Sequence, residues 1–208
     1  MKFAHRYLLA SIILVFLLGP IGFDYGLLSI VNLEILFLTI LIFSVFLHEH
    51  NSKLFKLTII SFLIILINIL FFDSNHSIFQ YFLKLFIISI TIIELFKEII
   101  RTKKIDFHII SSAISIYILI GIFWYLLFML LLIIDPDSFY FRNLNKEYLS
   151  IDMIYFSFTT LTTLGYGDIT PISYTAKMWS VTEAMIGVMF LAVMISRVVS
   201  LFGSKKKN

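Results

Sequence analysis

The chain contains no cysteine, and charged residues make up only 14% of its 208 positions. The missing cysteines exclude a disulfide framework, a thiol nucleophile and a thiolate metal site, and they leave the redox compartment unread. Soluble domains carry about 25% charged residues, so the scarcity of charge excludes a surface that faces water on all sides. Apolar residues instead make up 60% of the chain and mean hydropathy is +1.01, so lipid is the main solvent. No soluble domain of ordinary size fits either, because six crossings at roughly 20 residues each consume about 120 residues. The net charge of +3 and pI near 9.0 do not indicate a nucleic-acid partner, because the basic residues fall in short clusters between apolar runs.

Those runs lie at about Tyr7 to Gly22, Leu27 to Leu47, Leu54 to Phe72, Ile78 to Phe96, Ile109 to Ile134 and Tyr174 to Phe202. The first is short and holds Gly19-Pro20, which suits a kinked span or a re-entrant segment. No small-residue cleavage site follows it, so a signal peptide is not expected. Six spans with both termini cytoplasmic place twelve of the sixteen Lys and Arg on the inner side, from Lys2 and Arg6 to Lys205, Lys206 and Lys207. That asymmetry is the one that orients membrane proteins. Lys84 and Lys177 fall near outer helix ends, where a long side chain can snorkel to water.

The one long connection between late apolar runs, Asp135 to Ser173, holds two kinds of sequence. Asp135 to Tyr148 reads as a polar outer loop. Beyond it, Ser150 is expected to cap a helix from Ile151 to about Thr162, roughly 18 Å long and too short to cross a bilayer. The helix is followed by Thr162-Thr163-Leu164-Gly165-Tyr166-Gly167-Asp168. Non-helical backbone at membrane depth is tolerated only where its carbonyls line a polar cavity or an ion path. Glycines at 165 and 167 permit positive φ, so carbonyls of successive residues can point to one side and form a row of oxygens. One row cannot surround an ion, but four copies around an axis can replace the hydration shell of a cation. A homotetramer is therefore implied. The partly negative C-terminal end of the half helix favours a cation in the central cavity, and Asp168 adds negative charge at the outer mouth.

Thr163-Leu164-Gly165-Tyr166-Gly167-Asp168 resembles the selectivity filter of the tetrameric potassium channel family, whose usual form has Val where Leu164 stands. The resemblance implies that the carbonyls of Thr163, Leu164, Gly165 and Tyr166, with the Thr163 hydroxyl, coordinate potassium, and that Gly167 and Asp168 complete the loop. It extends over helix, outer loop, pore helix, filter and inner helix, about 109–202. Gly187 lies twenty residues after Gly167, where the family often has a hinge glycine. A helical glycine costs roughly 1 kcal/mol relative to alanine and makes a bend easier, while its other reading is close helix packing. The sequence departs from the family in two places. The aromatic pair that braces the filter is Tyr155-Phe156 rather than two tryptophans, and Thr159 stands where some relatives have a glutamate that pairs with the aspartate after the filter.

Glu183 is an ionisable residue inside the last helix, one turn before Gly187. It either faces the pore helix near Thr159 or Thr162 and steadies the filter, or lines the water-filled cavity. The fourth helix lacks the repeat of a voltage sensor, because the third-residue series from Lys84 reads Ile87, Ile90 and Ile93. Lys97 to His108 mixes apolar and basic residues as an interfacial linker helix would. His48-Glu49-His50 alternates positions that do not share a helix face, so a metal site is not expected.

The expected fold is an all-α membrane protein with six transmembrane helices and a re-entrant pore helix and filter loop between the fifth and sixth. Its parts are 1–96, four helices; 97–108, a linker; 109–202, the pore domain; and 203–208, a basic tail. The expected function is passive, potassium-selective conduction without strong voltage gating, by a multi-pass protein of a bacterial-type cytoplasmic membrane. The permeant ion is potassium, with no cofactor and no enzymatic chemistry. A potassium transporter component and a non-conducting modulatory subunit are the alternatives.

Overall fold

The computed structural model of the protein describes residues 8–13, 40, 42, 52–71, 78–102, 107–142 and 148–205. Gly19-Pro20, His48-Glu49-His50 and nearly all of the second apolar run lie outside these residues. The described chain is mostly helical: α1 (Ser52–Phe71), α2 (Ile78–Arg101), α3 (Phe107–Ile134), β1 (Phe139–Phe141), α4 (Leu149–Leu161), β2 (Ile169–Pro171) and α5 (Tyr174–Lys205). Among the described residues, three helical segments are long and apolar enough to cross a membrane: Ile78–Arg101, Ile109–Ile134 and Tyr174–Arg197. Two compact units divide the chain, and the boundary falls inside α3 between Ile116 and Tyr117.

In the first unit, α2 turns a mixed face inward, burying Gln80, Tyr81, Lys84, Ile88, Thr91, Leu95 and Ile99 at helical spacing. Hydroxyls on these helices are satisfied locally: Thr91 donates to the Ile87 carbonyl at 2.8 Å and Ser61 to the Leu57 carbonyl at 3.0 Å. Such back-bonding keeps polar groups paired where water is scarce. Lys84 corrects the snorkelling expectation. It is 4% exposed, with its ammonium 5.3 Å from the centroid of the Tyr81 ring, because the 3.6-residue period puts it on the inward face. Of the linker expected over Lys97 to His108, residues 103–106 lie outside the described residues. Ile99 and Ile100 continue α2, with Ile99 one turn beyond Leu95 on the same buried face, and Phe107 already opens α3.

The second unit is built around α4. Leaving α3, the chain turns at Asp135 to Ser138 and forms β1, which pairs antiparallel with β2 in the register Phe139 to Pro171, Tyr140 to Thr170 and Phe141 to Ile169. The polar loop expected here therefore contains a strand. Alternation decides its faces: Phe139 is buried and Tyr140 is exposed. The ribbon makes the excursion from Arg142 to Asp168 leave and return at one place, closed by the Arg142 amide on the Asp168 carbonyl at 2.9 Å.

α4 starts at Leu149, not Ile151, and the residue at its N-cap is Tyr148, which makes no side-chain cap bond. Ser150 therefore sits inside the first turn, where Asp152 supplies the negative charge that a helix N-terminus favours. At 13 residues α4 is about 20 Å long, well short of a bilayer core. α5 is capped by Ser173, whose hydroxyl accepts the Ala176 amide at 3.2 Å, and it runs unbroken through Gly187.

Two glycines let the long helices close on α4. A Cβ at Gly121 of α3 would lie 2.6 Å from Cζ of Phe158, and one at Gly187 of α5 would overlap the Leu161 carbonyl oxygen. Gly187 thus has a packing reason independent of bending. Aromatic rings fill the space nearer the ribbon: Phe128, Phe139 and Phe156 meet edge to face, their centroids 5.2 to 5.6 Å apart. Trp124 joins them at 5.8 Å from Phe128, as its mid-span position predicts.

Overpacking costs about 1–3 kcal/mol, and the Phe158 ring can swing aside whereas the Leu161 carbonyl belongs to helix backbone. Gly121→Ala is therefore expected to lower stability within that range and Gly187→Ala by more, measured by reversible unfolding in mixed detergent micelles. The opposite order would show that the inner helix does not cross α4 at this point.

Candidate functional site

The site begins where α4 ends. The Thr159 carbonyl accepts the amides of both Leu164 (2.8 Å) and Gly165 (3.1 Å), and the Thr163 amide turns back to Thr160 at 2.9 Å. These bonds wrap the segment around the helix C-terminus and engage the amides of Thr163, Leu164 and Gly165. Its acceptors are left over: among the described residues no hydrogen bond ends on the carbonyl of Thr163, Leu164, Gly165 or Tyr166.

The backbone beyond the helix alternates in hand. Gly165 has φ +49° and Gly167 φ +81°, as expected, and Thr163 also takes φ +60°. Positive φ is uncommon for a β-branched residue and had no signal in the sequence. With residues 163, 165 and 167 left-handed, successive peptides turn so that carbonyls share a side. Thr162 to Gly167 are all exposed in the single chain, Leu164 by 55% and Tyr166 by 68%.

Tyr155 holds the outer end of this segment. Its ring stacks on Tyr166, nearly parallel at 6.2 Å, and its hydroxyl donates to Asp168 Oδ2 at 2.8 Å. Asp168 Oδ1 accepts its neighbour's amide, from Ile169, at 3.1 Å. Burial and then the Asp168 carboxylate push the Tyr155 phenol up to about 12, so it remains a donor at physiological pH. Asp152 is raised from its ordinary value, by burial first and then by repulsion from Asp168. Phe156, the other half of the expected bracing pair, packs against Phe128 and Phe139 instead, because consecutive helical residues point about 100° apart.

Glu183 does reach α4, but at Ser157 rather than Thr159 or Thr162. Its Oε1 lies 2.6 Å from Ser157 Oγ, which is also 2.7 Å from the Gly121 carbonyl oxygen. Thr159 and Thr162 bond instead to α4's own carbonyls, those of Phe156 and Phe158. Two residues are about 200° of helix rotation, so Ser157 and Thr159 face opposite sides of α4. Glu183 is fully buried, which excludes the cavity-wall alternative within this chain. Sequence reasoning missed Ser157; the available signal was its polarity in an apolar run, two residues past Tyr155.

Residues 117–204 match the family described as "Ion channel". Two-pore potassium channel 2 of Arabidopsis thaliana is 30% identical over 95 residues, which is 44% of this chain and 19% of that protein. Two-pore potassium channel 4 of the same plant is 42% identical over 60 residues, 29% of this chain and 21% of that one. A voltage-gated delayed rectifier potassium channel of Homo sapiens is 36% identical over 64 residues, 31% of this chain and 6% of that protein. The chain thus spans about a fifth or less of the length of these relatives. No solved structure matches the chain. The matched family is one of ion channels and not of enzymes.

Tyr155→Phe keeps the ring stack and removes the hydrogen bond to Asp168. Amide exchange at Arg142 and Ile169 is expected to speed up about tenfold, the effect of losing one charge-assisted hydrogen bond, as read by hydrogen-exchange mass spectrometry. Unchanged exchange would show that the ribbon alone anchors Asp168.

Proposed function

We propose that this chain, whose residues 117–204 match an ion channel family and which is similar in part to potassium channels, is one subunit of a homotetrameric pore that conducts potassium passively. The alternating left-handed backbone at Thr163, Gly165 and Gly167, with its carbonyls unclaimed, is the observation that carries this reading. Thr163, Leu164, Gly165 and Tyr166 supply the carbonyl oxygens, the Thr163 hydroxyl adds the innermost ligand, and Gly167 and Asp168 close the loop. A peptide oxygen without a partner is costly in an apolar medium, and rings of four such oxygens repay that cost by replacing the water around a potassium ion.

Three features support assembly and topology. α5 is the least covered of the long helices, with 11% of its apolar window buried against 61% for the window of α3, so Met178, Val181, Met185 and Met189 await neighbours or lipid. α4 is too short to span, and the β1–β2 ribbon returns the chain to where it left, which is the path of a re-entrant pore helix. The C-terminal end of α4 then points to the cavity, where its partial negative charge favours a cation. Tyr155 and Glu183 support the filter from two sides, whereas Phe156 and Thr159 act only through packing and the Thr159 carbonyl. Gly187 serves as crossing point and hinge together. Six spans, cytoplasmic termini and a bacterial-type membrane complete the reading, with the helices before residue 97 as an anchor and the pore domain after 109.

Purified protein in liposomes is expected to pass potassium down its gradient in strong preference to sodium without a coupling ion, and Gly165→Asp is expected to abolish that flux. A silent wild type would mark the chain as a modulatory subunit, and flux that requires a second ion would mark a transporter. The conductance–voltage relation in planar bilayers is expected to be shallow, because one mobile charge such as Lys84 contributes only about 2.3 kcal/mol per 100 mV. A steep relation would refute it.

A further inference from the structure

Three oxygens meet at Ser157, and their hydrogens can be counted. Ser157 Oγ lies 2.7 Å from the Gly121 carbonyl oxygen and 2.6 Å from Glu183 Oε1, both hydrogen-bond distances. A carbonyl oxygen only accepts, an ionised carboxylate only accepts, and a serine hydroxyl carries one hydrogen. Two contacts need two hydrogens. If Glu183 were ionised, Ser157 could satisfy one neighbour and would face the other with bare oxygen against oxygen.

We propose that Glu183 is held as the neutral carboxylic acid and donates its proton to Ser157, which in turn donates to the Gly121 carbonyl, a directed chain that ties α5 through α4 to α3. The surroundings agree. Glu183 is fully buried, and its second oxygen, Oε2, has no partner among the described residues. An orphan oxygen is tolerable as the carbonyl of an acid, whereas half of a buried negative charge there would be far more costly. No cation stands within ion-pair distance of Glu183 among the described residues. The titratable group facing it from α3 is the Tyr117 phenol, whose ring stacks on Phe190 of α5 at 5.9 Å. On α4, Asp152 and Tyr155 interact with Asp168 instead.

The direction of the chain has a mechanical consequence. Gly121 and Gly187 bring the long helices onto Phe158 and Leu161, residues next to the Thr159 carbonyl that anchors the filter amides. The Glu183–Ser157–Gly121 chain fixes α4 between those two approaches in rotation as well as distance. Ser157 and Glu183 are thus positioning residues that act on the filter through its supporting helix. This role deepens the proposed conduction, while the protonation state stands apart from it.

Infrared difference spectroscopy of the full-length protein in liposomes at neutral pH tests the proton directly. Wild type minus Glu183→Gln is expected to show the carbonyl stretch of a protonated carboxyl, and Ser157→Ala is expected to move that stretch to higher frequency as the acid loses its acceptor. A difference made only of carboxylate bands overturns the proposal, whether or not the protein conducts. Potassium flux tests the positioning. Gln retains a donor for Ser157 and is expected to keep wild-type flux and selectivity, whereas Glu183→Leu is expected to lose about tenfold in potassium over sodium preference, the cost of one broken buried bond. Equal behaviour of Gln and Leu at position 183 would leave the chain without a role in positioning the filter.

Discussion

The second unit depends on one constraint: peptide groups that leave a helix in an apolar setting must find partners. The Thr159 carbonyl accepts the amides of Leu164 and Gly165, and the Thr160 carbonyl that of Thr163, so the first donors after α4 are satisfied from within the chain. The acceptors receive nothing in return. The carbonyls of Thr163, Leu164, Gly165 and Tyr166 therefore stand without partners in an exposed part of the single chain.

The rest of the second unit keeps that segment in place. The β1–β2 ribbon brings both ends of the excursion together at Arg142 and Asp168, so the loop cannot spread outward. Tyr155 grips the outer end by a ring stack and a hydrogen bond, combining two attachments in one side chain. At the inner end, Gly121 and Gly187 let α3 and α5 approach to backbone distance, and the aromatic cluster of Phe128, Phe139 and Phe156 fills the remaining wedge. Removing side chains at two points and adding large ones at three gives α4 a seat that neither a uniformly small nor a uniformly large interface would provide.

Burial also separates the two long helices of this unit. α3 is covered by its own chain over most of its length, and α5 is not. A helix apolar all round and bare on most sides is either lipid-facing or an interface. Because α5 carries Gly187 and Glu183 on the covered face, packing within the chain and whatever covers the rest draw on different residues of the same helix.

The membrane class, the four apolar helices from Ser52 onward and the left-handed glycines at 165 and 167 were legible in the sequence, because hydropathy runs and a glycine-spaced motif are local patterns that survive without knowledge of neighbours. The ribbon was not, since Phe139 to Phe141 looks like loop until Ile169 to Pro171 comes beside it. Thr163 at positive φ carried no local signal, because the conformation is imposed by the bonds to Thr159 and Thr160. Ser150 looked like a cap but lies inside the first turn of α4. Lys84 looked like a residue reaching for water, and only helix packing turned it inward. The partner of Glu183 and the side of α4 that Phe156 occupies were tertiary decisions, since helix rotation sets which of two neighbouring side chains meets a given surface. Sequence alone determined which residues could serve an ion path, because that depends on backbone freedom and polarity at each position; how they are held was decided only when distant segments supplied the missing hydrogen-bond partners.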